Sequence, residues 1–177
     1  LSPAATEMVV ALGHADALVA RSAACDFPES IQSLPVYDPD HAPEHDLLIT
    51  DAPAHEDHSP ASQVLQLRAE DMGDVWNNVR EVARFLGDED RGHHLVFKLQ
   101  QKQAHVAAGA LDHPTGVVFL DGLNPLQAAG RWMPELIEMA SGDNLIGLMG
   151  EASQTIEAGA LMNAQPEILI ISPQGHT

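Results

Sequence analysis

The chain has 177 residues, 45% of them hydrophobic, enough for one compact domain or for two small lobes sharing a connector. Its 8 Lys and Arg stand against 26 Asp and Glu, a formal net charge of −18. That surface repels phosphate backbones and anionic lipid headgroups, which argues against nucleic acid and membrane-surface partners, and no run reaches the eighteen or more apolar residues of a membrane span.

Ser2-Pro3 reads as a helix start, because Ser accepts a free amide and Pro lacks one. Ala5, Met8 and Leu12 then fall on one face, and Gly13 supplies the stop. Leu18 to Ala20, Leu47 to Thr50 and Val64 to Leu67 are short apolar runs that predict buried strands. Separated by helices, such runs describe a parallel sheet covered on both faces. From Asp71 the period lengthens: Met72, Val75, Trp76, Val79, Val82, Ala83 and Leu86 form a helical stripe. Gly87 interrupts it, and Leu95, Leu99, Val106 and Ala110 continue a second stripe to Leu111. Together these stretches would span roughly 55 Å at 1.5 Å per residue, more than one lobe of this size needs. A helical connector between two sheets accounts for that length. After Pro114 the alternation resumes, with a strand at Val117 to Leu120 and a helix at Pro134 to Ala140 closed by Gly142. A helix is predicted over 155–163 and an all-aliphatic strand at Ile168 to Ile171.

The chemistry-bearing residues are few. His55-Glu56-Asp57-His58, with His41 and His45 nearby, offers metal-ligand types, and a metal-dependent hydrolase would draw on that stretch. The spacing is not that of the zinc helix His-Glu-x-x-His, so a solvated acidic loop is the plainer reading, with His55 and His58 as weak candidate ligands. A lone Cys25 excludes an intrachain disulfide. It reads as a packed small residue unless a base stands beside it. Trp132 follows a Gly, where a flat ring either stacks on a planar ligand or enters the core. Glu135 lies in the first turn of its helix, where a carboxylate stabilises the dipole.

Several segments, in order, resemble one family. Leu1-Ser2-Pro3-Ala4-Ala5-Thr6-Glu7 with Ala11-Leu12-Gly13, then Cys25-Asp26-Phe27-Pro28, are similar to the opening motifs of the class III periplasmic solute-binding proteins of ABC importers. Asn124-Pro125, Gly130-Arg131-Trp132-Met133-Pro134-Glu135-Leu136-Ile137-Glu138 and Ile170-Ile171-Ser172-Pro173-Gln174-Gly175 resemble their later motifs. The branch most similar binds cobalamin, beside haem and ferric-siderophore binders.

The resemblance implies an α/β fold of two Rossmann-like lobes with parallel sheets, joined by a long connecting helix, with a ligand cleft between the lobes. The lobes would be residues 1–70 and 114–177, the connector 71–113. It implies a binding protein and not an enzyme, delivering cobalamin, haem or a ferric siderophore to an ABC permease. It would work in the periplasm or outside the cell, with a lipid anchor in the full-length protein as one option. Ligands of such sheets sit at the C-terminal strand ends, which singles out Pro3, Ala24, Cys25, Asp51, Asp121 and Gln174, and Trp132 joins them as a ring that could stack on the ligand. Family docking glutamates would correspond to Glu135 and Glu56. Relative to the family, the chain starts where the first strand ends and stops before the last helices. Its connections at 37–46 and 51–63 are short, so residues are expected to be missing at both ends and in these loops.

Overall fold

The computed structural model describes residues 2–38, 41, 44–51, 63–109 and 113–172. The chain folds as two compact units. Unit 1 comprises Leu1–Arg68 and Trp76–Phe97, and unit 2 comprises Ala69–Val75 and Lys98–Thr177.

Unit 1 opens with α1 (Pro3–Ala11), where Ser2 Oγ accepts from the Ala5 amide at 3.3 Å. Gly13 follows the helix at φ +80, the left-handed turn that glycine adopts without a Cβ penalty. Strands β1 (Leu47–Thr50) and β2 (Gln63–Gln66) pair in parallel, Leu48 opposite Val64. Ala5, Val9 and Leu12 of α1 pack on Ile49 and Leu67, and on Val79, Val82 and Ala83 of α2 (Met72–Phe85). Val96 of α3 (Glu89–Ala108) completes this core. Burying a Val, Leu or Ile side chain fully stabilises by about 1.5–3 kcal/mol, so this cluster holds the unit together. A Cβ on Gly92 would lie 2.5 Å from that of Ala83, so α2 and α3 meet where only a glycine fits. The expected strand at Leu18 to Ala20 does not form. Those residues follow a short 3-10 turn, Ala15–Ala17, and the nearest pairing is a single bridge between Arg21 and Val36. One bridged residue cannot propagate a ladder.

The helical stretch is not one rod. Gly87, at φ +73, ends α2, and Asp88 restarts the chain by accepting the Arg91 amide. His14 Nε2 and Asp88 Oδ2 stand 3.1 Å apart, while Arg91 Nη1 donates to the Leu12 carbonyl at 2.8 Å. The His14 hydrogen bond, aided by Arg91, holds the Asp88 carboxyl below its usual range. The 20 residues of α3, about 30 Å long, start in unit 1 and finish in unit 2; α3 is the long helix that joins them.

Unit 2 is built on β3 (Thr115–Leu123). One edge of β3 carries parallel β7 (Ile168–Ile171). The other pairs first with parallel β5 (Gly142–Asn144) and then with antiparallel β4 (Leu126–Ala128). Beyond β4 lies β6 (Gln154–Thr155). Leu48 and Val118 therefore belong to different sheets. Val118, Leu120 and Ala128 form the core, packed against Leu145, Ile146 and Ile156 and against Leu161 and Ala164 of α5 (Ala158–Ala164). On the opposite face, Val117 and Ile137 of α4 (Met133–Met139) meet at Gly142.

The helix predicted over 155–163 begins three residues later, because Gln154 and Thr155 pair with β4 instead. Strand β7 forms over the predicted residues and is exposed along its length, Ile168 at 47% and Ile171 at 49%. Its composition is that of a covered strand, but among the described residues nothing covers it.

Candidate functional site

In unit 1, Pro3 begins α1 and is exposed, as is Ala24 in the turn before Cys25. Thr6 Oγ1 and Cys25 Sγ are 3.2 Å apart, which ties the first turns of α1 to that loop. Cys25 is 1% exposed, and Ser22 Oγ also lies 3.2 Å from its sulfur. These two hydroxyls hold the thiol in place by hydrogen bonding. The Cys25 carbonyl accepts from Arg21 Nη1 at 3.2 Å. Asp51 is exposed just past β1.

In the His-bearing stretch, His41 pairs with Asp38 at 2.9 Å on an exposed surface, and His45 meets the Tyr37 ring edge-on at 5.7 Å. Among the described residues no group of three or more His, Cys, Asp or Glu is placed to hold a metal. His55, Glu56, His58 and Gln174 lie outside the described residues, as do most of the two short connections.

Unit 2 carries a bulge and a clamped loop toward the far end of β3. The β3–β4 register shifts between Leu120 and Gly122, which leaves Asp121 as the extra residue of a bulge. The strand continues to Leu123, so Asp121 is inside β3 and not at its end as expected. A bulge re-aims its side chain. Here Asp121 Oδ2 accepts a short hydrogen bond, 2.5 Å, from Ser153 Oγ, while Oδ1 is buried with no partner among the described residues.

The loop over 145–153 is clamped onto residues 129–131. The Arg131 amide donates to the Glu151 carbonyl at 2.6 Å, and the Gly150 amide to the Arg131 carbonyl at 3.2 Å. Two glycines permit this approach. A Cβ on Gly130 would lie 2.3 Å from the Glu151 oxygen, and one on Gly147 would lie 2.1 Å from the Ala129 oxygen. The clamp holds Arg131 at φ 54, a left-handed conformation that costs a non-glycine residue roughly 1–2 kcal/mol.

Trp132 precedes α4, is half-buried, and belongs to neither core cluster. Leu148 and Met149 of the clamped loop are 56% and 49% exposed, and Met149 bridges directly to Arg131. A partly open indole, in the segment whose neighbour Arg131 bridges to this exposed apolar loop, offers a face on which a flat ligand could stack. Glu135, by contrast, is not free: its Oε2 accepts from the Met72 amide at 3.0 Å, which stabilises the start of α2. Its other oxygen has no partner among the described residues, and Glu138, one turn on, is exposed.

Sequence reasoning missed Arg131, Met149 and Ser153. The Gly130-Arg131-Trp132 triplet signalled a turn, but nothing in a side chain announces a positive φ. The pairing of a loop with residues about twenty positions upstream is equally invisible.

No family model matches the sequence, and no curated protein matches it. Solved structures do. A periplasmic haem-binding protein from Pseudomonas aeruginosa superposes with a TM-score of 0.78 at 23% identity, covering 99% of this chain and 71% of that one. The periplasmic haem-binding protein RhuT from Roseiflexus sp. RS-1, in apo form, gives 0.75 at 22% identity, covering 96% and 73%. The periplasmic vitamin B12 binding protein BtuF of Vibrio cholerae gives 0.76 at 17% identity, covering 97% and 74%. The chain has the α/β fold of the periplasmic solute-binding proteins its sequence resembles. The neighbours are binding proteins, and no helix among the described residues is long and apolar enough to cross a membrane.

Proposed function

We propose that the chain is the substrate-binding component of an ABC importer that captures a bulky tetrapyrrole-type ligand, cobalamin or haem, and delivers it to a permease from the periplasm or cell exterior. The observation that carries this reading is the clamped loop of unit 2. Trp132 is half-buried and outside both core clusters, and the loop bridged to its neighbour Arg131 exposes Leu148 and Met149. The structural neighbours support the same role, since both haem and vitamin B12 binders share the fold. The residues proposed to meet ligand are Pro3, Ala24, Cys25 and Asp51 on unit 1 and Asp121 and Trp132 on unit 2. Cys25 would act through its loop backbone, because its thiol is buried. Glu135, through its unengaged oxygen, is proposed to dock on the permease, together with Glu56. In this reading, residues 71–113 connect lobes 1–70 and 114–177.

Trp132→Ala tests the proposal. Aromatic stacking is worth about 0.5–1.5 kcal/mol beyond the area it buries, so affinity for the bound tetrapyrrole should fall about threefold or more while the unfolding midpoint moves little. A buried core tryptophan would behave oppositely, losing about 3–5 kcal/mol of stability. Melts and titrations on the same variant discriminate: a large stability loss with unchanged affinity removes Trp132 from the site.

A further inference from the structure

Arg131 is the only Lys or Arg after Lys102, in a stretch that carries eight Asp and Glu. A lone cation there would be expected to pair with a neighbouring carboxylate. It does not: the side chain is exposed, and among the described residues its guanidinium has no hydrogen bond or ion pair. Its carbonyl and amide, in contrast, are both held by the 145–153 loop, which fixes the backbone at φ 54. A strained, over-determined backbone carrying an unused charge and bridged to a loop with exposed apolar side chains is a pattern expected of a binding residue. The guanidinium is a planar fork that matches a carboxylate with two parallel hydrogen bonds. Trp132 follows it directly in sequence, and Met149 is its bridge partner.

From this we infer that Arg131 reads an anionic carboxylate on the rim of the ligand, while Trp132 and the aliphatic side chains take its flat apolar face. The inference rests on the proposed binding role and narrows it: the ligand is a planar tetrapyrrole bearing free carboxylates, and not one whose rim carries only neutral amides.

The test uses the purified protein with three probes: iron protoporphyrin IX, its dimethyl ester, and cobalamin. Charge-assisted hydrogen bonds are about twice as strong as neutral ones, so Arg131→Gln should weaken binding of the free acid by about tenfold or more. It should leave the ester's affinity unchanged. Wild-type affinity for the acid, but not for the ester, should fall as salt rises. Arg131→Gly guards against misfolding as the explanation. It relieves the left-handed strain, so its melting point should equal or exceed that of wild type while the acid still binds at least tenfold more weakly. Equal losses on acid and ester, or no loss on either, overturn the inference and leave the binding role standing. Wild-type binding of cobalamin alone does the same. Failure of the wild type to bind any of the three overturns both.

Discussion

Leu120→Ala is expected to cost about 2–5 kcal/mol of stability in unit 2, the usual range for truncating a buried leucine. Leu120 is 1% exposed on the central strand. Among the described residues the fully buried core around it is small, Val118, Leu120 and Ala128, with partly buried Leu126, Leu145, Ile146, Ile156, Leu161 and Ala164 packed on it. Strand β3 is hydrogen-bonded to β4, β5 and β7, so its backbone cannot collapse into the cavity without breaking ladders on both edges. Leu123→Ala is the control. That residue is 44% exposed on the same strand, and its truncation should stay within about 0.5 kcal/mol. Denaturant melts resolved by hydrogen exchange at β3 amides should show the loss in unit 2. A Leu120→Ala variant within 1 kcal/mol of wild type, on the scale of an ordinary surface change, would mean that β3 is not the centre of a packed core.

The second large effect is expected at Gly147. It has φ +102, and an added methyl would sit 2.1 Å from the Ala129 oxygen. No side-chain adjustment relieves a clash with a backbone carbonyl, so Gly147→Ala must shift the 145–153 loop away from residues 129–131. Strain of this kind costs of order 1–3 kcal/mol, and here it also disrupts the bonds that position Arg131. Stability and ligand affinity should therefore fall together. Gly150→Ala provides the contrast, since that residue also has positive φ, +79, but nothing lies within 4 Å of its Cβ position. It should cost only the left-handed penalty, roughly 1–2 kcal/mol, with the clamp and the affinity retained. If the two variants bind ligand equally well, the clamp does not shape the site.

What the sequence made legible follows from the range of the forces involved. The stripe from Met72 to Leu86 and the break at Gly87 are local, set by helical period and by one left-handed turn, and both appear in the structure. The strands at Leu47, Val117 and Ile168 were likewise visible as aliphatic runs. Leu18 to Ala20 looked the same, yet it makes no ladder. Composition reports that a segment wants burial, not whether a partner strand lies beside it. The exposure of β7 is the converse case. Among the candidate residues, Trp132 and Asp121 stood out in the sequence through their place in motifs and near a strand end. The bulge that turns Asp121 toward Ser153 and the engagement of Glu135 by the Met72 amide depend on contacts more than thirty residues apart in sequence. Arg131 was legible as a residue but not as a strained one, because only the folded loop imposes its φ.

Titration of the purified protein with iron protoporphyrin IX and with cobalamin, followed by absorbance and by native mass spectrometry, tests the binding role most directly. Saturable one-to-one binding of a tetrapyrrole is expected, with a shifted absorption band and a complex that survives as a single mass increment. Absence of any such complex, with the protein folded by melt under the same conditions, would contradict it.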